Sequence, residues 1–299
     1  MITPGPLLDR LYTDFLYPGP PRPALFAEPP GEPALAPADG ISWRVFSNPV
    51  TLFVGGVLAV ILELAHPQVR AGVWSHSTFR TDPKGRLQRT GLAAMVTVFA
   101  ARSVALRMIE GVNRTHARVR GTDERGAPYN AADPALLTWV QATAATGFGA
   151  AYDALVRRLP PAEWDALYAE GAPIAAAYGA SAAPGDRAGW EALLAETTPT
   201  LTPSPIIGEF LGLMRARPIL PLVARPLQAP LTRVACSLMP PSVAARLDPL
   251  PRPRPGERTL ARLAAFGARL PSRAAPWSLA QRRLALDSAT VSPHSDPVP

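Results

Sequence analysis

Apolar residues recur at three- and four-residue spacing along most of this chain, and many of these stretches start at or just after a proline, often behind Ser, Asn or Asp. That pattern marks capped helices with proline in the first turn. Leu7 to Tyr17 is the first, with Leu8, Leu11, Phe15 and Leu16 near one face. Pro18 to Asp39 is rich in proline and glycine and reads as an extended arm. Ser47-Asn48-Pro49 opens a helix to about Ala65, and Pro67 then breaks it or begins another. Gly55-Gly56 inside that helix suits close packing against a neighbour or a flat cofactor. Thr81-Asp82-Pro83 marks a helix from Gly85 to about Ala101, and Ser103 is expected to cap the next. That helix carries Asn113, His116 and Arg120 toward its end, where Gly121 suits the stop.

Thr122 to Ala132 reads as a polar loop holding Tyr129, and Asp133-Pro134 caps a long helix to about Arg158. Further helices are expected over Pro161–Tyr178, Arg187–Glu196, Pro205–Arg215, Pro221–Leu238 and Thr259–Leu286, with a disordered final dozen residues. No Val/Ile/Thr alternation suggests a sheet. The expected fold class is therefore all-α, a single multi-helix domain over residues 45–250. A Pro-rich arm (1–44) precedes it and an Arg/Pro-rich extension (251–299) follows.

Composition narrows the classes of function. Ala, Leu and Val must fill the core, since aromatics are 7% of the chain. The net charge of +7 is carried almost wholly by arginine, scattered rather than clustered and without interleaved aromatics. No nucleic-acid recognition motif accompanies it, so a nucleic-acid partner is not expected. The one cysteine, Cys236, lies in an apolar run and excludes an internal disulfide or a thiolate metal cluster. No secretory leader is visible at residues 1–10, and the most apolar run, Val50 to Leu62, falls short of the ~20 residues of a membrane span. It reads as a buried core helix. The expected location is cytoplasmic, with peripheral membrane contact left open.

Nucleotide-binding, hydrolase and EF-hand signatures are missing. A histidine late in an apolar helix can ligate haem iron, and nearby cations can hold propionates. His116, with Arg118 and Arg120 following it, fits that description; so does a buried structural histidine. Arg86 and Thr90, four apart on one face, can offer a cation and a hydroxyl to bound oxygen or substrate, or simply make helix-packing hydrogen bonds. Glu63 closes an apolar run, so it is a candidate carboxylate of raised pKa able to act as a base, or an arginine's partner. His66 and His76 form a metal site only if Glu63 or Asp82 joins them in space, since their spacing is not that of local ligands.

One stretch carries a more specific signal. It includes His66-Pro67 through Arg70-Ala71-Gly72-Val73, His76-Ser77, Phe79-Arg80, and Asp82-Pro83 through Arg86-Leu87 and Arg89-Thr90. His116 to Gly121, Tyr129, and Asp133-Pro134 to Thr143 continue it, with weaker echoes at Tyr168-Ala169-Glu170 and Leu238 to Pro241. This residue order resembles the MpaB and rubber-oxygenase (latex-clearing protein) catalytic-domain family, over about Asn48 to Leu247.

The resemblance implies an all-α fold with one haem b and the use of O2 to cleave carbon–carbon double bonds of hydrophobic, isoprenoid substrates. Arg86 and Thr90 match an arginine–threonine pair near the haem in the rubber oxygenases. His116 follows Arg86 at the distance of their axial histidine, which makes it the expected iron ligand. Two departures stand out. Gln141 occupies a position where many members have histidine, and Arg89 stands where rubber oxygenases have a lysine. Arginine does not deprotonate and is a poor sixth ligand. The first expectation is a haem-dependent oxygenase with catalytic Arg86, Thr90 and Glu63 and cofactor-binding His116, Arg118 and Arg120. The alternatives are a haem or lipid-like ligand carrier without turnover and a helical interaction module without cofactor.

Overall fold

A computed structural model describes residues 4–269 and 272–290. It is mostly helical, as the periodicity predicts. The N-terminal part holds α1 (Pro4–Leu16), α2 (Ala24–Ala27) and α3 (Ile41–Val45). Then come α4 (Pro49–Ala65), α5 (Pro67–Ser75), α6 (Pro83–Phe99) and α7 (Arg102–His116). A small antiparallel hairpin, β1 (Arg120–Thr122) with β2 (Pro128–Asn130), separates these from α8 (Pro134–Leu155). The remainder comprises α9 (Pro161–Ala177), α10 (Arg187–Thr197), α11 (Pro205–Ala216), α12 (Arg225–Cys236), α13 (Pro241–Ala244), α14 (Glu257–Gly267) and α15 (Pro276–Thr290).

The local signals for helix starts act as the sequence suggests. Asn48 accepts hydrogen bonds from the Val50 and Thr51 amides, Asp82 from Gly85 and Asp133 from Ala135, each with proline in the first turn. Pro67 begins a new helix, and α5 leaves α4 at 113°.

Elsewhere the structure differs from expectation. Ser103 does not cap α7. Both its amide and its hydroxyl donate to the Glu32 carboxylate, at 2.5 and 2.8 Å, so the cap comes from the N-terminal arm. The expected helix over Pro221–Leu238 is split. A 3-10 turn (Leu222–Ala224) precedes α12, whose second residue, Pro226, has no N–H to give back to the preceding turn. Pro276 likewise opens α15, so the helix expected over Thr259–Leu286 becomes α14 and α15. The segment expected to be a loop after Thr122 contributes the second strand of the hairpin. The tail from residue 291, expected to be disordered, lies outside the described residues.

The central contact is α4 along α8, more extensive than any other helix pair. It depends on two glycines. A Cβ on Gly147 would lie 2.6 Å from the Gly55 carbonyl oxygen, and one on Gly55 would lie 2.7 Å from the Phe148 Cα. One apolar cluster surrounds this pair with Trp139, Phe210, Leu231 and neighbours from α5, α11 and α12. A second joins Leu16, Phe26 and Trp43 of the N-terminal part to α6, α7 and Leu279 of α15. Both terminal segments therefore pack on the body. Arg283, 1% exposed, donates to the carbonyls of Phe26 and Phe99, both at 2.9 Å. Tyr12 donates to Ala268, and Ser272 to the Asp9 carboxylate. No single helix among the described residues is long and apolar enough to cross a membrane, and the apolar α4 is buried along most of its length.

Candidate functional site

The interior holds a cavity of about 810 Å³ between α4, α5, α6, α7, α8 and α9, with residues of α1, α3 and the hairpin at its edge. That lies within the roughly 300–1,000 Å³ of sites for cofactors and drug-sized ligands. Its wall is mainly apolar, with Phe53, Val57, Val60, Leu87 and Val140 among its residues. Gly56, unlike Gly55, faces it with little standing above its backbone, so the glycine pair divides its work between helix packing and the cavity wall.

A few polar side chains interrupt this wall. Glu63 reaches it from the last turn of α4, Arg86 and Thr90 from α6, His116 from the end of α7, and Gln141 from α8. The Glu63 carboxyl is pushed up to about 7 because burial penalises its charge, against a weaker opposing pull from the Arg86 guanidinium. Burial lowers Arg86 too, with Glu63 opposing. No ion pair closes between them within 4 Å among the described residues, and Arg86 lies over the Phe79 ring at 5.1 Å.

The His116 imidazole is held below its usual range by burial and then by Arg86, so it is neutral at pH 7. Its Nδ1 is buried without a hydrogen-bond partner. An imidazole with an unpartnered buried nitrogen in the wall of an apolar cavity of this size could hold a haem iron. Among the described residues no group of three His, Cys, Asp or Glu side chains converges to hold a bare metal ion. The His66/His76 metal arrangement is therefore not formed. Burial lowers His66 to about 4, and His76 instead hydrogen-bonds the Tyr129 phenol at 3.0 Å.

Thr90 points its hydroxyl at the Arg86 carbonyl, 3.1 Å away, in the ordinary helix back-bond. Arg89 is occupied elsewhere: its guanidinium pairs with Asp82 at 3.3 Å and donates to the Thr78 hydroxyl at 2.6 Å. The residue that departs from the rubber-oxygenase lysine thus braces the start of α6.

Arg118 and Arg120 are not brought to the cavity. The helix expected to carry them stops at His116, and the turn into β1 leaves both on exposed backbone outside the lining. The cations that do line it are Arg86, Arg89 and the sole lysine, Lys84.

Two polar pairs at or just behind the wall were not anticipated as pairs from the sequence. His76 bonds Tyr129, which is 7% exposed; Tyr129 sits opposite Gly121 in the hairpin, where a Cβ would lie 2.8 Å from the phenol oxygen. Deeper in, the Tyr168 and Thr146 hydroxyls bond at 2.8 Å. All but Thr146 fall in segments that carry the family resemblance, yet no spacing rule predicts such cross-helix contacts.

A helical fold around a large apolar cavity, with His116, Arg86 and the raised Glu63 carboxyl in its wall, defines a protein with an apolar internal space beside titratable polar groups. The chain belongs to the family described as ER-bound oxygenase mpaB/B′/Rubber oxygenase, catalytic domain, which it matches over residues 43–270. No curated protein matches it, and no solved structure does.

Proposed function

We propose that this chain is a haem b-dependent oxygenase that attacks a carbon–carbon double bond of a hydrophobic, isoprenoid-like substrate. The observation that carries the reading is His116, a neutral imidazole without a hydrogen bond in the wall of a cavity with room for a macrocycle. Haem bound there supplies the activation of O2. The chain's own residues do the rest. His116 offers a nitrogen lone pair to the iron. The apolar wall excludes water and takes up the hydrocarbon chain. Arg86 holds a positive charge against a propionate or a developing negative charge, with no protein carboxylate bonded to it to cancel the effect. Glu63, near 7, exists in both protonation states at neutral pH and can take a proton from a substrate carbon or return one.

An absorption spectrum of the purified protein, expressed with haem supplied, tests this for wild type and His116→Ala. A Soret band near one haem per chain, lost or shifted in the variant, is the expected result. A well-folded wild type without the band sinks the reading. Gln141, at a cavity position where many family members carry histidine, favours a second reading in which the chain carries haem or a lipid-like ligand without turnover. Consumption of O2 that depends on an added alkene separates the two.

A further inference from the structure

Helix α14, the last but one among the described residues, presents an apolar ridge to solvent. Leu260, Leu263 and Phe266 are 40%, 64% and 69% exposed, whereas Glu257, Ala261 and Ala265 are buried. At roughly 100° per residue the ridge lies opposite the buried stripe. The same geometry places Arg258 and Arg262 along one flank; Arg269 follows just past the helix end, and all three are exposed. Two are held in position from behind: Arg262 donates to the Ala154 carbonyl at 3.1 Å and Arg269 to that of Val156 at 2.9 Å. Arg269 also lies over the Phe266 ring at 5.7 Å. Arg252 and Arg254, exposed in the proline-rich approach, add to the same charge. The only acid of α14, Glu257, is turned inward and paired with Arg233.

We infer that α14 is a docking helix for an anionic phospholipid surface. In this arrangement Leu260, Leu263 and Phe266 enter the acyl boundary while the arginine flank meets the phosphates. Exposed leucine and phenylalanine beside an arginine row, without an exposed acid on the helix, are what an interfacial helix requires. A second copy of the chain is the poorer occupant. Facing ridges would bring like-charged flanks together, and three apolar side chains fall far short of the ~800 Å² per partner of a stable dimer.

The test is flotation of the full chain with vesicles of phosphatidylcholine alone and of phosphatidylcholine mixed with phosphatidylglycerol. The chain should float with the mixed vesicles, less so as salt is raised. Leu263→Ser with Phe266→Ser should weaken that binding about tenfold or more, and Arg258→Gln should weaken it severalfold on the anionic vesicles alone. Circular dichroism confirms that the variants fold, and Leu106→Ser, an exposed change on α7, serves as the control and should float as wild type. Failure of the wild type to float with mixed vesicles overturns the inference, as does undiminished flotation of the double variant. Equal binding to neutral vesicles removes the anionic lipid from it. Light scattering that shows a dimer lost in the double variant assigns the ridge to a second copy and overturns it as well.

Discussion

Replacing Glu63 by glutamine should stabilise the cofactor-free protein at alkaline pH and leave it unchanged in acid. Burial holds the folded carboxyl near 7 against an ordinary 4.5. Between those values the folded chain keeps a proton that the unfolded chain has released. Stability therefore falls as pH rises through this window, and the full penalty is present above about 7. The difference corresponds to at most about 3 kcal/mol. One effect reduces it: removing the carboxyl deprives Arg86 of a favourable neighbour. A gain of about 2 kcal/mol near pH 8, shrinking to nothing near pH 4, is the expected result. Urea titrations of wild type and Glu63→Gln across this range measure it. A gap of the same size at both extremes would refute the argument, because a pH-independent difference means that the carboxyl titrates alike in both states.

Other expected outcomes concern the frame around the cavity. Gly147→Ala forces a methyl against the Gly55 carbonyl and should cost about 1–3 kcal/mol in chemical denaturation. Gly208→Ala in α11, with open space around the new methyl, should instead add about 0.5–1 kcal/mol. Arg70, wholly buried, donates to the Leu64 carbonyl at 2.7 Å and to the Thr202 hydroxyl at 3.1 Å, and it pairs with Glu124. Arg70→Ala frees the end carbonyls of α4 and should cost about 3–5 kcal/mol, read as a matching fall in the denaturation midpoint.

Helix positions were legible because their causes are local. Asn48, Asp82 and Asp133 each stand one residue before a proline, and the cap and the proline act within one turn. Ser103 misleads for the complementary reason. It sits inside the first turn of α7, and the carboxylate that closes the turn comes from Glu32, 71 residues earlier. The hairpin was invisible because three-residue strands carry no alternation to detect. Its omission then displaced Arg118 and Arg120, which a helix continued past His116 would have kept near the imidazole. Glu63 could be anticipated as a carboxyl of raised pKa, since a charge ending a long apolar run has few places to meet water. The cavity could not, because its wall is assembled from many helices and the hairpin, whose crossing points no single segment encodes.

The buried Arg283 has a consequence for the order of events during synthesis. Its two carbonyl partners lie at residues 26 and 99, so one of its hydrogen bonds spans 257 positions of chain. At about 5–20 residues per second, roughly 13–50 s pass between the emergence of the first partner and the arrival of the guanidinium. Over that interval the apolar face of Phe26, and the α2 surface against which α15 later rests, have no partner from the far end of the chain. The nascent protein is thus exposed to chaperones and to self-association at its N-terminal side. The closing step belongs to α15, the last helix among the described residues.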